Sequence, residues 1–332
     1  MRRIATVLVA GVCLVGLATG GCRQASDGDG SDKLTIAVIP KCTSHEFWKT
    51  VEIGAREAAE AYGVEMKWEG ASTETDLAEQ NKIIENMINL DVDGIALAPL
   101  NRQAMRKRVE DAVAAGIPVV IFDSPVDGTA HSSFVATDNE QGGVLGARHM
   151  LELLDGQGDV LVLRYIQGAG STEDRAEGFI TTAEAGGIRV VANPYCEDGE
   201  VSGAKKTSTN TLEGFIEGNR LRLDGIFCCN DRSSLGMLDA LEDLRKSGIE
   251  IQAKFICFDF APDLVAGLQQ GKIDAMVAQN PRKMGYLAVE TLVKHLRKEP
   301  IEKTIDTGAE LVTMARLEKE PDLRQLIGAD EP

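Results

Sequence analysis

The sequence predicts an α/β protein with parallel sheets in two domains, and three observations carry that prediction. Short β-branched runs alternate with amphipathic stretches of helical length from Lys33 onward, the signature of βαβ units. About 310 residues follow the N-terminal segment, more than one hydrophobic core usually holds. The junction Phe134-Val135-Ala136-Thr137-Asp138-Asn139 reads as a strand running into the cap of a helix, with one βα series before it and another after, so the chain is expected to cross between domains there.

The N-terminus is set apart from this pattern. Arg2 and Arg3 precede an uncharged run from Ile4 to Gly21, which reads as an export signal covering residues 1–21. The run ends Leu17-Ala18-Thr19-Gly20-Gly21-Cys22, small residues leading into a cysteine as at bacterial lipoprotein processing sites. Thr19 stands where a leucine is usual. Lipidation of Cys22 is the expectation and simple secretion the alternative; in both the chain leaves the cytoplasm. Residues 22–32, rich in Gly, Ser and Asp, cannot bury enough apolar surface to order and are expected to form a flexible tether.

The strands expected after the tether are Leu34 to Ile39, Val64 to Trp68, Gly94 to Ala98, Val119 to Phe122, Asp159 to Tyr165, Val190 to Asn193, Gly225 to Cys229, Lys254 to Phe258 and Asp274 to Ala278. Helices are expected between them, including Glu46 to Tyr62, Asp76 to Leu90, Asn101 to Ala115, Glu140 to Leu154 and Ser233 to Ser247; a glycine directly follows the first, third and last of these.

Charge and cysteine content exclude several functions. The chain carries 35 Lys and Arg against 52 Asp and Glu, a net charge of −17, and removing residues 1–21 takes away only Arg2 and Arg3 and so makes it −19. That field repels nucleic acid, which needs clustered basic side chains. Past Cys22 there are five cysteines, Cys42, Cys196, Cys228, Cys229 and Cys257. Being odd in number they leave at least one unpaired, and the last three, in apolar runs, read as small buried hydrophobes. No Cys-x-x-Cys or His/Cys ligand spacing is present, so no metal is expected. A Walker loop, a Gly-x-Ser-x-Gly elbow and a dinucleotide fingerprint are also missing, so no cofactor and no catalytic residue is assigned.

In open parallel sheets ligands bind beyond the carboxyl ends of the strands. Those ends carry Lys41 through Trp48, Asp123-Ser124, Gln167 through Arg175, Asn230-Asp231, Asp259-Phe260 and Gln279-Asn280. Carboxylates accept hydroxyl protons, Arg and Asn donate to hydroxyl oxygens, and aromatic faces pack on C–H surfaces, so the set suits a sugar. Each residue also has a plain structural role open to it. Asn230 and Asp231 can cap a helix, Asp123 can be a turn residue, Phe47 and Trp48 can be core, and Arg175 can face solvent.

These residues resemble the periplasmic sugar-binding proteins of the ribose-binding type, whose core is shared with the lactose-repressor group. The resemblance runs through Ile36-Ala37-Val38-Ile39 with Phe47-Trp48, Gly116 to Asp123, Thr137-Asp138-Asn139 with Gly142-Gly143, Arg175 to Phe179, Cys229-Asn230-Asp231, Phe258-Asp259 and Ala278 to Pro281, nearly the whole of the exported chain. It implies two Rossmann-like lobes with parallel sheets joined by a three-crossover hinge near Thr137, Gln279 and Gly308, the fold of type I periplasmic binding proteins. The N-terminal lobe would comprise residues 33–137 and 280–308, the C-terminal lobe 138–279 and 309–332.

The ligand contacts that the resemblance implies are Phe47, Asp123, Arg175, Asn230, Asp259 and Gln279, with His45, Trp48, Lys41 and Ser124 also at the pocket. His45 stands where ribose binders have Asn, Trp48 where they have Phe, Ser124 where they have Arg, and Lys41 where they have a small hydroxyl residue. Those departures point to a sugar other than ribose, and Lys41 admits an acidic or phosphorylated one. The implied function is non-enzymatic: a lipid-anchored monomer in the periplasm or at the cell surface delivers a sugar to an ABC permease. The alternatives are a ligand sensor for a chemoreceptor or histidine kinase, and an exported sugar-acting enzyme.

Overall fold

In the computed structural model the described residues are 33–329; the export signal, Cys22 and the tether expected from the sequence lie outside them. The elements follow one another as β1 (Thr35–Ile39), α1 (Glu46–Tyr62), β2 (Glu65–Trp68), α2 (Leu77–Asn89), β3 (Gly94–Leu97), α3 (Arg106–Ala114), β4 (Val119–Phe122), β5 (Ser133–Ala136) and α4 (Asn139–Leu153). Then come β6 (Gly158–Leu163), α5 (Gly170–Ala185), β7 (Ile188–Ala192), α6 (Val201–Glu213), the short hairpin β8 (Ile216–Glu217) and β9 (Arg220–Leu221), β10 (Gly225–Cys228) and α7 (Asp231–Lys246). The remainder is β11 (Lys254–Phe258), α8 (Pro262–Gln269), β12 (Ala275–Gln279), α9 (Pro281–Leu296), β13 (Thr304–Asp306), β14 (Ala309–Val312), α10 (Met314–Leu317) and α11 (Pro321–Leu326).

Two six-stranded sheets result, ordered β13-β5-β4-β3-β1-β2 and β14-β12-β11-β10-β6-β7. All neighbours within them pair parallel except β12 with β14. Parallel strands covered by helices on both faces are apolar on both faces, and the core shows it residue by residue. In β1, Ile36 and Val38 join one cluster and Ala37 and Ile39 the other; in β11, Phe255 and Cys257 face one way and Ile256 and Phe258 the other. Cys228, Cys229 and Cys257 are part of these clusters, and all five described cysteines are buried free thiols.

The chain changes sheets three times: between β5 and α4, between β12 and α9, and between β13 and β14. The first and last crossings lie side by side. Thr137 Oγ1 donates to the Gly308 carbonyl at 3.2 Å, and Asp306 Oδ1 accepts from the backbone N–H of both Asp138 (3.1 Å) and Gly308 (2.8 Å). Gly308 takes φ 82, a backbone conformation that a side chain disfavours.

The strand and helix expectations are met within a few residues at their ends, with one larger difference. The third helix begins at Arg106 rather than Asn101, because Asn101 Oδ1 accepts the backbone N–H groups of Gln103 and Ala104 and holds a turn there. Strands β13 and β14 were not anticipated, since their exposed edge positions show no apolar alternation. Among the described residues no helix is long and apolar enough to cross a membrane.

Helix pairs that flank each sheet approach to backbone contact through glycines. A Cβ on Gly54 of α1 would lie 1.8 Å from the Arg282 carbonyl of α9, and one on Gly285 of α9 would lie 2.0 Å from the Val51 carbonyl of α1. The second lobe repeats the device. A Cβ on Gly143 of α4 would meet the Arg175 carbonyl of α5 at 2.1 Å, and one on Gly178 of α5 would meet the Glu140 carbonyl at 2.2 Å. Gly143→Ala and Gly285→Ala are each expected to destabilise the protein by at least about 1–3 kcal/mol, as overpacking does. Gly143→Ala should in addition displace Arg175. Calorimetric melting of both variants checks this, and unchanged melting temperatures would show that the helices separate freely.

Candidate functional site

A pocket forms where the carboxyl ends of the two sheets face each other. Lys41, His45, Phe47, Trp48, Glu74 and Asp123 line it from the first sheet, and Ser171, Thr172, Arg175, Asn230, Asp231, Asp259 and Gln279 from the second. Apart from the half-buried Phe47 and Glu74, no lining residue is more than 7% exposed. The enclosed space is about 20 Å³, room for roughly one water. With the lobes in this arrangement nothing much larger than a water fits that space.

Polar groups this deeply buried need partners, and here they are paired charge against charge. Lys41 Nζ sits 2.7 Å from Asp123 Oδ2, with Ser171 Oγ at 3.3 Å. Arg175 Nη1 lies 3.4 Å from Asp259 Oδ2 and donates to the Cys229 carbonyl at 3.0 Å, while its Nε donates to Asn139 Oδ1 at 2.8 Å. The guanidinium stacks over Phe258 at 3.9 Å. Gln279 Nε2 donates to Asp259 Oδ1 at 2.6 Å. A third pair joins His45 Nδ1 to Glu74 Oε1 at 3.3 Å, and the same oxygen accepts Trp48 Nε1 at 2.6 Å.

Backbone geometry aims the two aspartates. Asp123 directly follows β4 and Asp259 directly follows β11, and both adopt left-handed conformations, φ 62 and φ 67. Aspartate tolerates that region better than most residues, at a cost of order 1 kcal/mol.

Burial sets the titration of these groups. Burial would lower the His45 pKa, but hydrogen bonds and charges from Cys42 and Glu74 outweigh it and raise the value from 6.5 to about 10. Glu74 would likewise rise through burial, yet His45, Lys41 and Trp48 hold it at about 2. Asp231 is pushed up to about 6 by burial and then by the charge of Asp259, and burial raises Asp259 in turn despite Arg175 and Gln279. Cys42, His45 and Glu74 bring ligand-type atoms within 4.8 Å of one another. Because Glu74 is already the acceptor for Trp48 and His45, the cluster reads as a hydrogen-bonded charge network.

Nine of the ten pocket residues named from the sequence line this space. The exception is Ser124, which is fully buried: its hydroxyl donates to Asp123 Oδ2 at 2.9 Å and lies 2.8 Å from the Ser171 hydroxyl of the other lobe, from which it can accept. Two structural roles weighed earlier are real and coexist with pocket placement. Asn230 caps α7, its Oδ1 accepting from Ser233, so it offers the pocket its NH₂. Trp48 is 2% exposed and belongs to the first lobe's core. Lys41 is ion-paired with Asp123 at the pocket.

Glu74, Ser171, Thr172 and Asp231 were missed as pocket residues, Asp231 having been weighed only as a strand-end residue that could cap a helix. Glu74 lies in the loop between β2 and α2, at a strand end that carried no recognisable signal, and the two hydroxyls sit in the first turn of α5, inside a stretch from which only Arg175 was singled out. No Ser/His pairing was foreseen either, yet Ser132 Oγ lies 3.2 Å from His295 Nε2. That contact is at the amino end of β5, the edge opposite the pocket.

Two doubly wound sheets joined by three crossovers, with a charge-paired polar pocket shared between their carboxyl edges, define a two-lobed solute-binding protein. The chain belongs to the periplasmic binding protein domain family, whose model matches residues 36–300. Among curated proteins it is similar to the ribose import binding protein of Bacillus subtilis, 28% identical over 288 residues that span 87% of this chain and 90% of that one. A carbohydrate transporter solute-binding protein of Agrobacterium radiobacter, solved in complex with D-arabinose, superposes with a TM-score of 0.82 at 30% identity, covering 90% of this chain and 99% of the other. An ABC transporter solute-binding protein of Agrobacterium vitis with bound D-fucose gives the same TM-score at 33% identity, with coverages of 88% and 99%.

The titration of His45 has a consequence for stability. A group whose pKa is raised on folding stabilises the native state fully below its unfolded value and ceases to do so as pH rises through the folded value. Unfolding free energy should therefore fall between pH 6.5 and about 10, by an amount on the order of a few kcal/mol. Denaturant titrations at either end of that window should show a smaller fall for His45→Asn than for the wild type; equal falls would mean that His45 is not charged in the native state.

Proposed function

We propose that this protein captures a monosaccharide or related polyol between its two lobes outside the cytoplasm and delivers it to an ABC permease, without chemical change. The observation that carries this reading is the pocket itself. Its carboxylates, guanidinium and amides are pre-oriented by their mutual hydrogen bonds, and Phe47 and Trp48 stand beside them in the arrangement that hydroxyls and C–H faces require. The names of the relatives agree: they are sugar-binding proteins of transport systems. The carboxylates of Asp123, Asp259 and Glu74 are each tied to a cation or an amide, so the enzyme alternative gains no support from them.

The contacts assigned are Phe47, Asp123, Arg175, Asn230, Asp259 and Gln279, with Lys41, His45, Trp48 and the newly recognised Glu74 at the same pocket. The lobes would be residues 33–137 with 280–308 and residues 138–279 with 309–332. Hydroxyls bridging Asp123 and Asp259 bind the closed arrangement better than the open one and so shift the hinge equilibrium. The export signal and Cys22 support attachment to the membrane by a lipid anchor through the 22–32 tether, with the folded part a monomer.

A thermal-shift screen of residues 33–332 against D-arabinose, D-fucose, D-ribose and D-allose tests the reading, because a ligand that binds only the folded state raises its melting temperature. Asp123→Ala and Asp259→Ala should each weaken binding of the responding sugar by about tenfold or more, since partner groups are left buried and unpaired. Calorimetric affinities unchanged in both variants would refute the pocket assignment.

A further inference from the structure

Two buried polar atoms at the pocket have no partner in the protein, His45 Nε2 and Gln279 Oε1. Their chemistry is opposite. Gln279 spends its NH₂ on Asp259, so its Oε1 can only accept. At His45 the role of Nε2 is decided across the ring. Nδ1 faces Glu74 Oε1, and that oxygen also receives Trp48 Nε1, an indole nitrogen that only donates. The oxygen is thus the acceptor for both neighbours, and Nδ1 must carry a proton.

We infer that Glu74 is a positioning residue for sugar recognition, which orients Trp48 and holds His45 as an imidazolium whose Nε2–H is presented to a ligand oxygen as an obligatory donor. This rests on the sugar-binding reading above and adds the residue that sets the polarity of one recognition contact. The ionisable groups around His45 are Glu74, Cys42 and, further into the pocket, Asp231; Lys41 acts on Glu74 and is paired with Asp123. With burial opposed by Cys42 and Glu74, the imidazolium persists through neutral pH. The amide that ribose binders carry at this place can donate or accept. An imidazolium can only donate, so the sugar must offer a lone pair at His45 and a hydroxyl proton at Gln279.

Glu74→Gln separates this role from a merely structural one. The amide keeps a carbonyl oxygen for Trp48 and for the Nδ1 proton but lacks the charge, so His45 keeps only the Cys42 contribution against burial and its pKa drops to a lower value. Above that value Nε2 loses its proton and changes from donor to acceptor. The probe is whichever of D-arabinose, D-fucose, D-ribose and D-allose binds residues 33–332 most tightly, measured calorimetrically at about pH 6 and about pH 8.5. The ratio of the variant's Kd to the wild-type Kd should grow about tenfold across that interval, the loss of one charge-assisted hydrogen bond. His45→Asn, a donor that does not titrate, should show no such growth.

Nitrogen NMR of the imidazole rings, assigned with His45→Asn, reads the protonation without any sugar: at about pH 8.5 His45 should be charged in the wild type and neutral in Glu74→Gln. A neutral His45 in the wild type, or a Kd ratio that stays constant with pH, overturns the inference. Binding of none of the four sugars by the wild type overturns the sugar reading, and the role of Glu74 in recognition falls with it.

Discussion

The pocket depends on opposite charges buried together. Lys41 with Asp123, Arg175 with Asp259 and His45 with Glu74 meet at 2.7, 3.4 and 3.3 Å in a region almost without solvent exposure. Removing one member of such a pair leaves an uncompensated charge, which typically costs about 3–5 kcal/mol. Lys41, Asp123, Arg175, Asp259 and Glu74 are also held by further hydrogen bonds, with Ser171, Ser124, Asn139, Gln279 and Trp48 respectively. A ligand that enters this network finds its partners already oriented, which limits the entropy lost on binding.

The two lobes solve the same problem in the same way. Each places an aspartate in the left-handed conformation immediately after a central strand, and each locks the flanking helices by reciprocal glycine contacts, Gly54 with Gly285 and Gly143 with Gly178. The helix contact in the second lobe touches the backbone of Arg175 itself. Packing on the outside of the sheet therefore fixes a charge on its edge.

Polar contacts also join the lobes. Ser124 with Ser171, Lys41 with Ser171 at 3.3 Å, the Asn139 amide with the Asp123 carbonyl at 3.3 Å, Arg102 with Asp174 at 2.6 Å and the Arg102 N–H with the Gly168 carbonyl at 3.0 Å cross the cleft, and the strand crossings at Thr137 and Gly308 share a few hydrogen bonds. The Arg102–Asp174 pair is only partly buried, and surface-type pairs of this kind contribute about 1 kcal/mol or less. Any parting of the lobes about the three crossovers has to break these contacts.

The order of strands and helices and the first crossover were legible in the chain, because parallel strands must be apolar runs whose polar ends fall at the binding edge; the family resemblance narrowed those ends to ten residues, nine of which line the pocket. That rule is local, so it needs no knowledge of neighbours. It failed at Glu74 and at β13 and β14, where burial is partial and no apolar pattern marks the element. It was silent, too, on partners: that Lys41 pairs with Asp123, that Ser124 is buried against Asp123 and Ser171 instead of lining the pocket, and that His45 faces Glu74. Those follow from distances of a few ångströms between distant parts of the chain and from the removal of water around them, and only the folded arrangement of the two lobes decides either.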